Sequence, residues 1–249
     1  GAISIKNYNQ PRREQRQQVI EAARQADMLV VAEGGSLFHQ DMNLIVDGST
    51  GIEHNIPTLK IYDDVVQLWR QSNSGYTPTL VVTYGGLTSE DYYYQTTEVW
   101  KHPLLSHFVP PDQLQARSVR RVMAPESDFK DDDAAAVARQ LANEGVIVNT
   151  GAHGQREGLA THWELWSFVR GGFTPLAALK LATINPAHYL GMQASLGSLT
   201  AGKLADILVL GANPLEDIHN TQSLERVMLN GRLYDAQTLQ EQITGDRPA

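Results

Sequence analysis

The first two-thirds of the chain alternate β-branched strand segments, short polar loops and amphipathic helical segments, and this constrains the fold more than any other feature. Residues 2–5, 28–32 (MLVVA), 51–53, 78–83 (PTLVVT) and 146–148 read as short buried strands. Between them, residues 12–25 place Val19, Ile20, Ala22 and Ala23 at helical spacing, and 38–46 and 62–71 repeat the pattern. Asp47-Gly48 stops one helix, and Asp63-Asp64 suits the first turn of the next. Strands separated by helices form parallel sheets, because a parallel connection needs a long crossover.

Past the fourth strand the pattern loosens. Residues 87–111 form a segment too long for a bare loop, with Tyr92-Tyr93-Tyr94, Trp100 and Pro103. An insertion of this kind is expected to act as a lid or substrate wall. Residues 112–143 read as mostly helical, with Asp131-Asp132-Asp133 as a solvated helix N-terminus. Helices follow at 162–170, at 175–182 behind a Thr174-Pro175 start, and from 186 to 190. Residues 205–210 and 226–229 are strands, the latter closed by an Asn230-Gly231 hairpin turn.

Composition excludes several classes. A net charge of −8 argues against a large nucleic-acid footprint. No apolar run is long enough for a membrane span. With no cysteine, disulfides, thiolate metal sites and a Cys nucleophile are ruled out. No GxSxG elbow supports a serine hydrolase.

Residues 196–210 (LGSLTAGKLADILVL) resemble the C-terminal signature of the amidohydrolase superfamily, and residues 158–192 continue the likeness with a Thr-Pro start, Ala-Leu and Asn-Pro-Ala in register. Together they cover about the last 100 residues. The resemblance implies a metal-dependent (β/α)8 barrel. Here the chain would supply about strands 4–8 of it in residues 1–195, then strands of a small C-terminal β-sandwich domain in 196–249. VAEGG, the 38–57 run, the tyrosine-rich insertion and GAHGQ look like the amidohydrolase domain fused to TolB-like propeller repeats, in the imidazolonepropionase and prolidase-like branch. Such a fusion makes a periplasmic or extracytoplasmic location plausible, with a cytoplasmic one as the alternative.

The same resemblance assigns site residues at strand ends. GIEHNIP resembles the motif whose His binds metal, which points to His54. Glu33, in VVAEGG, stands where the family carries a His, and a carboxylate can take that role. His39 competes for it but lies six residues further on, inside the expected helix. Lys6, in SIKNYNQ, suits the lysine that is carboxylated and bridges metals in the prolidase-like branch; unmodified, it would hold a substrate carboxylate by charge. NTGAHGQ puts His153 where the family has an Asp, as metal ligand or general base. Tyr84 and His162 are the substrate-side candidates, with His162 just beyond the site or packing a helix. His102 and His107 are open candidates from the insertion, and His188 and His219 read as surface residues.

The implied cofactor is a divalent metal, zinc with manganese or iron as alternatives. The implied reaction is attack of metal-activated water on an amide, cyclic amide or peptide-like C–N bond. The family's HxH pair is absent, and the chain opens on Gly1 without an initiator Met. A fragment of a longer protein is therefore expected, inactive alone, and prone to oligomerise, swap strands or require a missing N-terminal half. The competing expectation is a catalytically degenerate barrel that binds or scaffolds.

Overall fold

A computed structural model describes residues 1–8, 10–154 and 156–242. The chain opens with β1 (Ser4–Asn7), α1 (Arg13–Gln25), β2 (Leu29–Glu33), α2 (Phe38–Asp47), β3 (Gly51–Glu53), α3 (Asp63–Ser72) and β4 (Gly75–Thr77). The four strands form one parallel sheet in the order β1-β2-β3-β4. This is an α/β fold in which each crossover carries a helix, as the alternation dictates. Register aligns Glu33 with Glu53 and Glu53 with Thr77. Side chains alternate along a strand, so these three share one face at one level of the sheet.

The helices follow from their apolar stripes. α1 buries Ile20 and Ala23 against Val30. α3 buries Val65, Val66 and Trp69, carries Asp63 and Asp64 in its first turn, and ends on Asn73 in the left-handed region. The Trp69 indole donates to the Ser74 carbonyl at 3.0 Å and meets Tyr76 edge-on.

The fourth strand differs from the sequence reading. It occupies Gly75–Thr77, and Leu80–Val82 is a single 3-10 turn entered through Thr79 at φ 54°. Pro78 has no N–H to offer a ladder, and the N–H groups of Leu80 and Val81 are taken by the Glu164 carboxylate. Residues 146–148 add only one bridge, Tyr76 to Val148, beyond β4.

The insertion folds as α4 (Glu90–Thr96), α5 (Pro103–Phe108) and α6 (Pro111–Gln115), followed by α7 (Asp131–Asn143). Residues 116–130 are irregular apart from a 3-10 turn at Glu126–Asp128, within a stretch expected to be mostly helical. Pro125 interrupts that stretch, and Arg117 adopts φ 62°. Tyr93 and Tyr94 are buried, with Tyr93 stacked on Trp163 at 5.3 Å. These two tyrosines therefore belong to the core. Asp131 is also buried rather than solvated: it accepts from Ser167 at 2.6 Å and pairs with Arg170 at 3.0 Å.

The chain continues through α8 (Ala160–Arg170), α9 (Pro175–Leu181) and α10 (Ile184–Tyr189). The Thr174 hydroxyl caps α9 by accepting from Ala177 N–H. A second, antiparallel sheet contains β5 (Ile207–Leu210), β6 (Leu224–Leu229) and β7 (Arg232–Asp235). Asn230 and Gly231 both have positive φ, the two-residue hairpin their sequence anticipates. Among the described residues, no helix is long and apolar enough to cross a membrane.

Candidate active site

The site begins at the C-terminal ends of β2 and β3. Glu33 closes β2, and His54 follows β3 directly. The His54 N–H donates to the Thr77 carbonyl at 2.8 Å, so the backbone is held by the neighbouring strand. Its φ is 72°, uncommon for a side chain other than glycine. Such conformations persist where the surroundings over-determine them, often at functional sites.

His54 is 5% exposed, with Nε2 3.6 Å from Glu33 Oε1, while the other carboxylate oxygen lies 2.5 Å from Lys6 Nζ. Glu33 thus sits between a buried imidazole and an exposed amine. Its hydrogen bond raises the Lys6 pKa above the ordinary lysine value, so Lys6 is held protonated. Burial lowers the His54 pKa and outweighs the opposing pull of Glu33. His54 is therefore neutral near pH 7, with a lone pair to offer.

His153 also lies in the left-handed region, at φ 54°, and its ring centroid is 5.0 Å from that of His54. The Tyr84 ring is 5.3 Å from His54 on another side. Burial raises the Tyr84 pKa, so its hydroxyl stays a donor at neutral pH. Asn55 fixes the Tyr84 loop from both directions: Tyr84 N–H donates to Asn55 Oδ1 at 2.6 Å, and Asn55 Nδ2 donates to the Tyr84 carbonyl at 3.0 Å.

His54, His153 and Tyr84 line an open cavity of about 670 Å³. Glu90 and Asp91 of α4 line it too, with Arg117 and Arg120 from the irregular segment after α6. Arg117 pairs with the buried Glu90 at 2.5 Å. Lys6 and Glu33 stand outside this lining, next to His54.

His162 does not line the cavity: its Nδ1 meets Thr221 Oγ1 at 3.0 Å, where α8 packs on the 3-10 turn at Ile218–Gln222. Burial lowers its pKa to about 4. His39 is exposed on α2, His102 accepts from Leu105 N–H at the start of α5, and His219 pairs with Asp217 at 2.7 Å. The reading from sequence missed Asn55 and the polar wall Glu90, Asp91, Arg117 and Arg120. Asn55 adjoins His54 in the motif, whereas nothing local in SVRR signals a cavity wall.

A carboxylate and a neutral imidazole side by side are donors a divalent ion accepts, and His54 Nδ1 is buried with no hydrogen-bond partner among the described residues. The fit is good in donor type and short in number. Among the described residues, no three His, Cys, Asp or Glu side chains are gathered to hold a metal.

The amidohydrolase family profile matches residues 12–234, and the chain belongs to that family, whose members generally use a divalent metal. A 69-residue stretch, 26% of this chain, is 44% identical to ochratoxinase from Aspergillus niger, covering 14% of that protein. A 39-residue stretch, 16% of this chain, is 54% identical to imidazolonepropionase from Symbiobacterium thermophilum, covering 9% of it. A solved Xaa-Pro dipeptidase with bound methionine superposes with a TM-score of 0.64 at 23% identity, covering 90% of this chain and 49% of that one. A putative prolidase from Bifidobacterium longum gives 0.63 at 23% identity, covering 93% and 55%. These likenesses show a shared fold. The chain spans about half the length of these two structures.

Proposed function

We propose that this chain carries the site of a metal-dependent hydrolase that cleaves C–N bonds in amide, cyclic amide or peptide-like substrates. The observation that carries this reading is the Glu33–His54 pair at the ends of adjacent parallel strands, opening through His54 onto a cavity shared with His153 and Tyr84. Strand ends are where a (β/α)8 barrel places its chemistry. In this reading residues 1–195 are part of such a barrel, about strands 4–8, and residues 196–249 are a segment of a small β-domain.

Glu33 and His54 would hold a divalent ion, zinc with manganese or iron as alternatives, with a carboxylated Lys6 completing the donors; His153 would either join them as a ligand or stay free as the base. Such an ion, when bound, lowers the pKa of water and polarises a carbonyl. Carboxylation of Lys6 requires loss of the proton that Glu33 now holds on its Nζ. His153 takes a proton from the attacking water at a ring nitrogen and returns it to the leaving amine. The Tyr84 hydroxyl donates to the scissile carbonyl oxygen. Arg120 and the Arg117–Glu90 pair orient the polar ends of the substrate across the cavity.

A second reading, a degenerate barrel that binds or scaffolds, is favoured by the short donor count around His54. Calorimetric titration of the chain with zinc and manganese separates the two. Stoichiometric binding lost in His54→Ala and weakened in Glu33→Gln supports the hydrolase. No binding between pH 6 and 8, with no hydrolysis of N-acyl amino acids or dipeptides, overturns it.

A further inference from the structure

Glu164, on α8, is 0% exposed and forms no ion pair among the described residues. Burying a carboxylate without a cation is costly unless backbone donors surround it. Here Leu80 N–H donates to Oε1 at 2.8 Å and Val81 N–H to Oε2 at 3.0 Å, and the Gly151 N–H is a third donor.

The three donors belong to the two segments that build the active-site wall. The Leu80–Val82 turn runs directly into Thr83, Tyr84 and Gly85, which line the cavity. Gly151 lies two residues before His153. The segments also touch each other: a Cβ at Gly151 would lie 2.6 Å from Thr77 Cγ2 and 2.8 Å from Thr79 Oγ1. Pro78 ends the β4 ladder just before these residues, which leaves the Leu80 and Val81 donors to be satisfied by something other than a strand.

We propose that Glu164 is a positioning residue, a buried carboxyl clamp that ties the end of β4 to the segment after Val148 and so sets Tyr84 and His153 against His54. It touches no substrate. Its effect passes through the backbone of both walls. The inference rests on the hydrolase reading for its kinetic arm only; the clamp itself is read without activity.

The test is 15N and ring-13C NMR on the chain and on Glu164→Gln, which keeps the shape and loses the second strong acceptor. Amide exchange at Leu80, Val81 and Gly151 is expected to quicken by about tenfold or more, the equivalent of one hydrogen bond. Val30 and Ile52 amides keep their protection, and the ring resonances of Tyr84 and His153 move. With a hydrolysable substrate, kcat falls about tenfold while KM stays within about twofold, as expected for loss of alignment rather than binding. Glu164→Asp, which keeps both carboxyl oxygens on a shorter stem, restores part of both. A folded Glu164→Gln with unmoved Tyr84 and His153 rings overturns the clamp, as does exchange that quickens uniformly along the chain. Should Glu164→Gln not fold, the same readings on Glu164→Asp decide it. Absence of any zinc or manganese binding by the unsubstituted chain counts against the hydrolase reading, while the exchange rates and ring shifts still decide the clamp.

Discussion

The ring of Tyr189 occupies the space where a side chain at Gly51 would begin. A Cβ there would meet the Tyr189 hydroxyl and lie 2.6 Å from Cζ, and a Cβ at Gly75 would lie 2.6 Å from Cε2. The last residue of α10 is thus seated against two glycines on adjacent parallel strands, at the level just below Glu53 and Thr77. Gly51→Ala is expected to destabilise the chain by about 1–3 kcal/mol through overpacking. In urea denaturation, a double-mutant cycle with Tyr189→Ala should recover much of that loss as coupling. Strict additivity would show that the ring does not hold this position in solution.

Lys6 and Glu33 make a second measurable pair. The Glu33 hydrogen bond raises the Lys6 pKa, so Glu33→Gln should lower it, which lysine-selective 13C NMR can follow. A less protonated amine adds carbon dioxide more readily. With labelled bicarbonate at pH 8, a carbamate resonance at Lys6 should therefore be stronger in Glu33→Gln than in the metal-free parent. An unchanged Lys6 titration would count against the 2.5 Å contact.

Asp41 and Glu164, two of the carboxyls that burial raises, give the chain an unusual pH dependence. Burial pushes Asp41 up to about 7 and Glu164 up to about 8. Both folded values lie above the unfolded ones. The folded state therefore keeps a proton that the unfolded chain has already released, and stability falls as pH rises from about 4 towards 8. Asp47 works the other way, because hydrogen bonds from Arg13 and Gln17 outweigh its desolvation and hold it below its usual value; its contribution is lost only on acidification. Urea midpoints should thus be higher at pH 5 than at pH 8. Asp41→Asn and Glu164→Gln should each shrink that difference by on the order of 1–3 kcal/mol. Equal pH profiles for parent and variants would contradict the burial of these groups as acids.

Asn55 predicts a local rather than global defect. Removing its side chain in Asn55→Ala leaves the Tyr84 N–H and carbonyl without their partners, a cost of about 1–3 kcal/mol. Amide exchange at Tyr84 should quicken in the variant while the Val30 and Ile52 amides keep their protection. An unchanged Tyr84 amide would mean that the loop is held by something else.

The parallel sheet and its helices were legible because β-branched runs and apolar stripes are local signals. β3 falls at 51–53 as the sequence indicates, and α2 needs only Gly48 to end it. β4 was misread at 78–83 because PTLVVT has the composition of a strand. The competing acceptor for its amides, Glu164, is 84 residues away from Leu80. Glu33 and His54 could be found as polar residues closing apolar strands. Asn55, Arg117 and Arg120 could not, because their roles depend on which loops meet across the cavity. Asp131 has the look of a solvated acid within a run of three, and only the distant Arg170 and Ser167 enclose it.

The 84-residue separation between Leu80 and Glu164 also sets a timetable for synthesis. A ribosome adds about 5–20 residues per second, so roughly 4–17 s pass between the two residues. During that interval the nascent chain can pair β1, β2, β3 and β4, but the turn after β4 has amides with no acceptor and a cavity wall with nothing to lean on. The site is completed late in translation, when α8 emerges, while the strands that present Glu33 and His54 are already able to form.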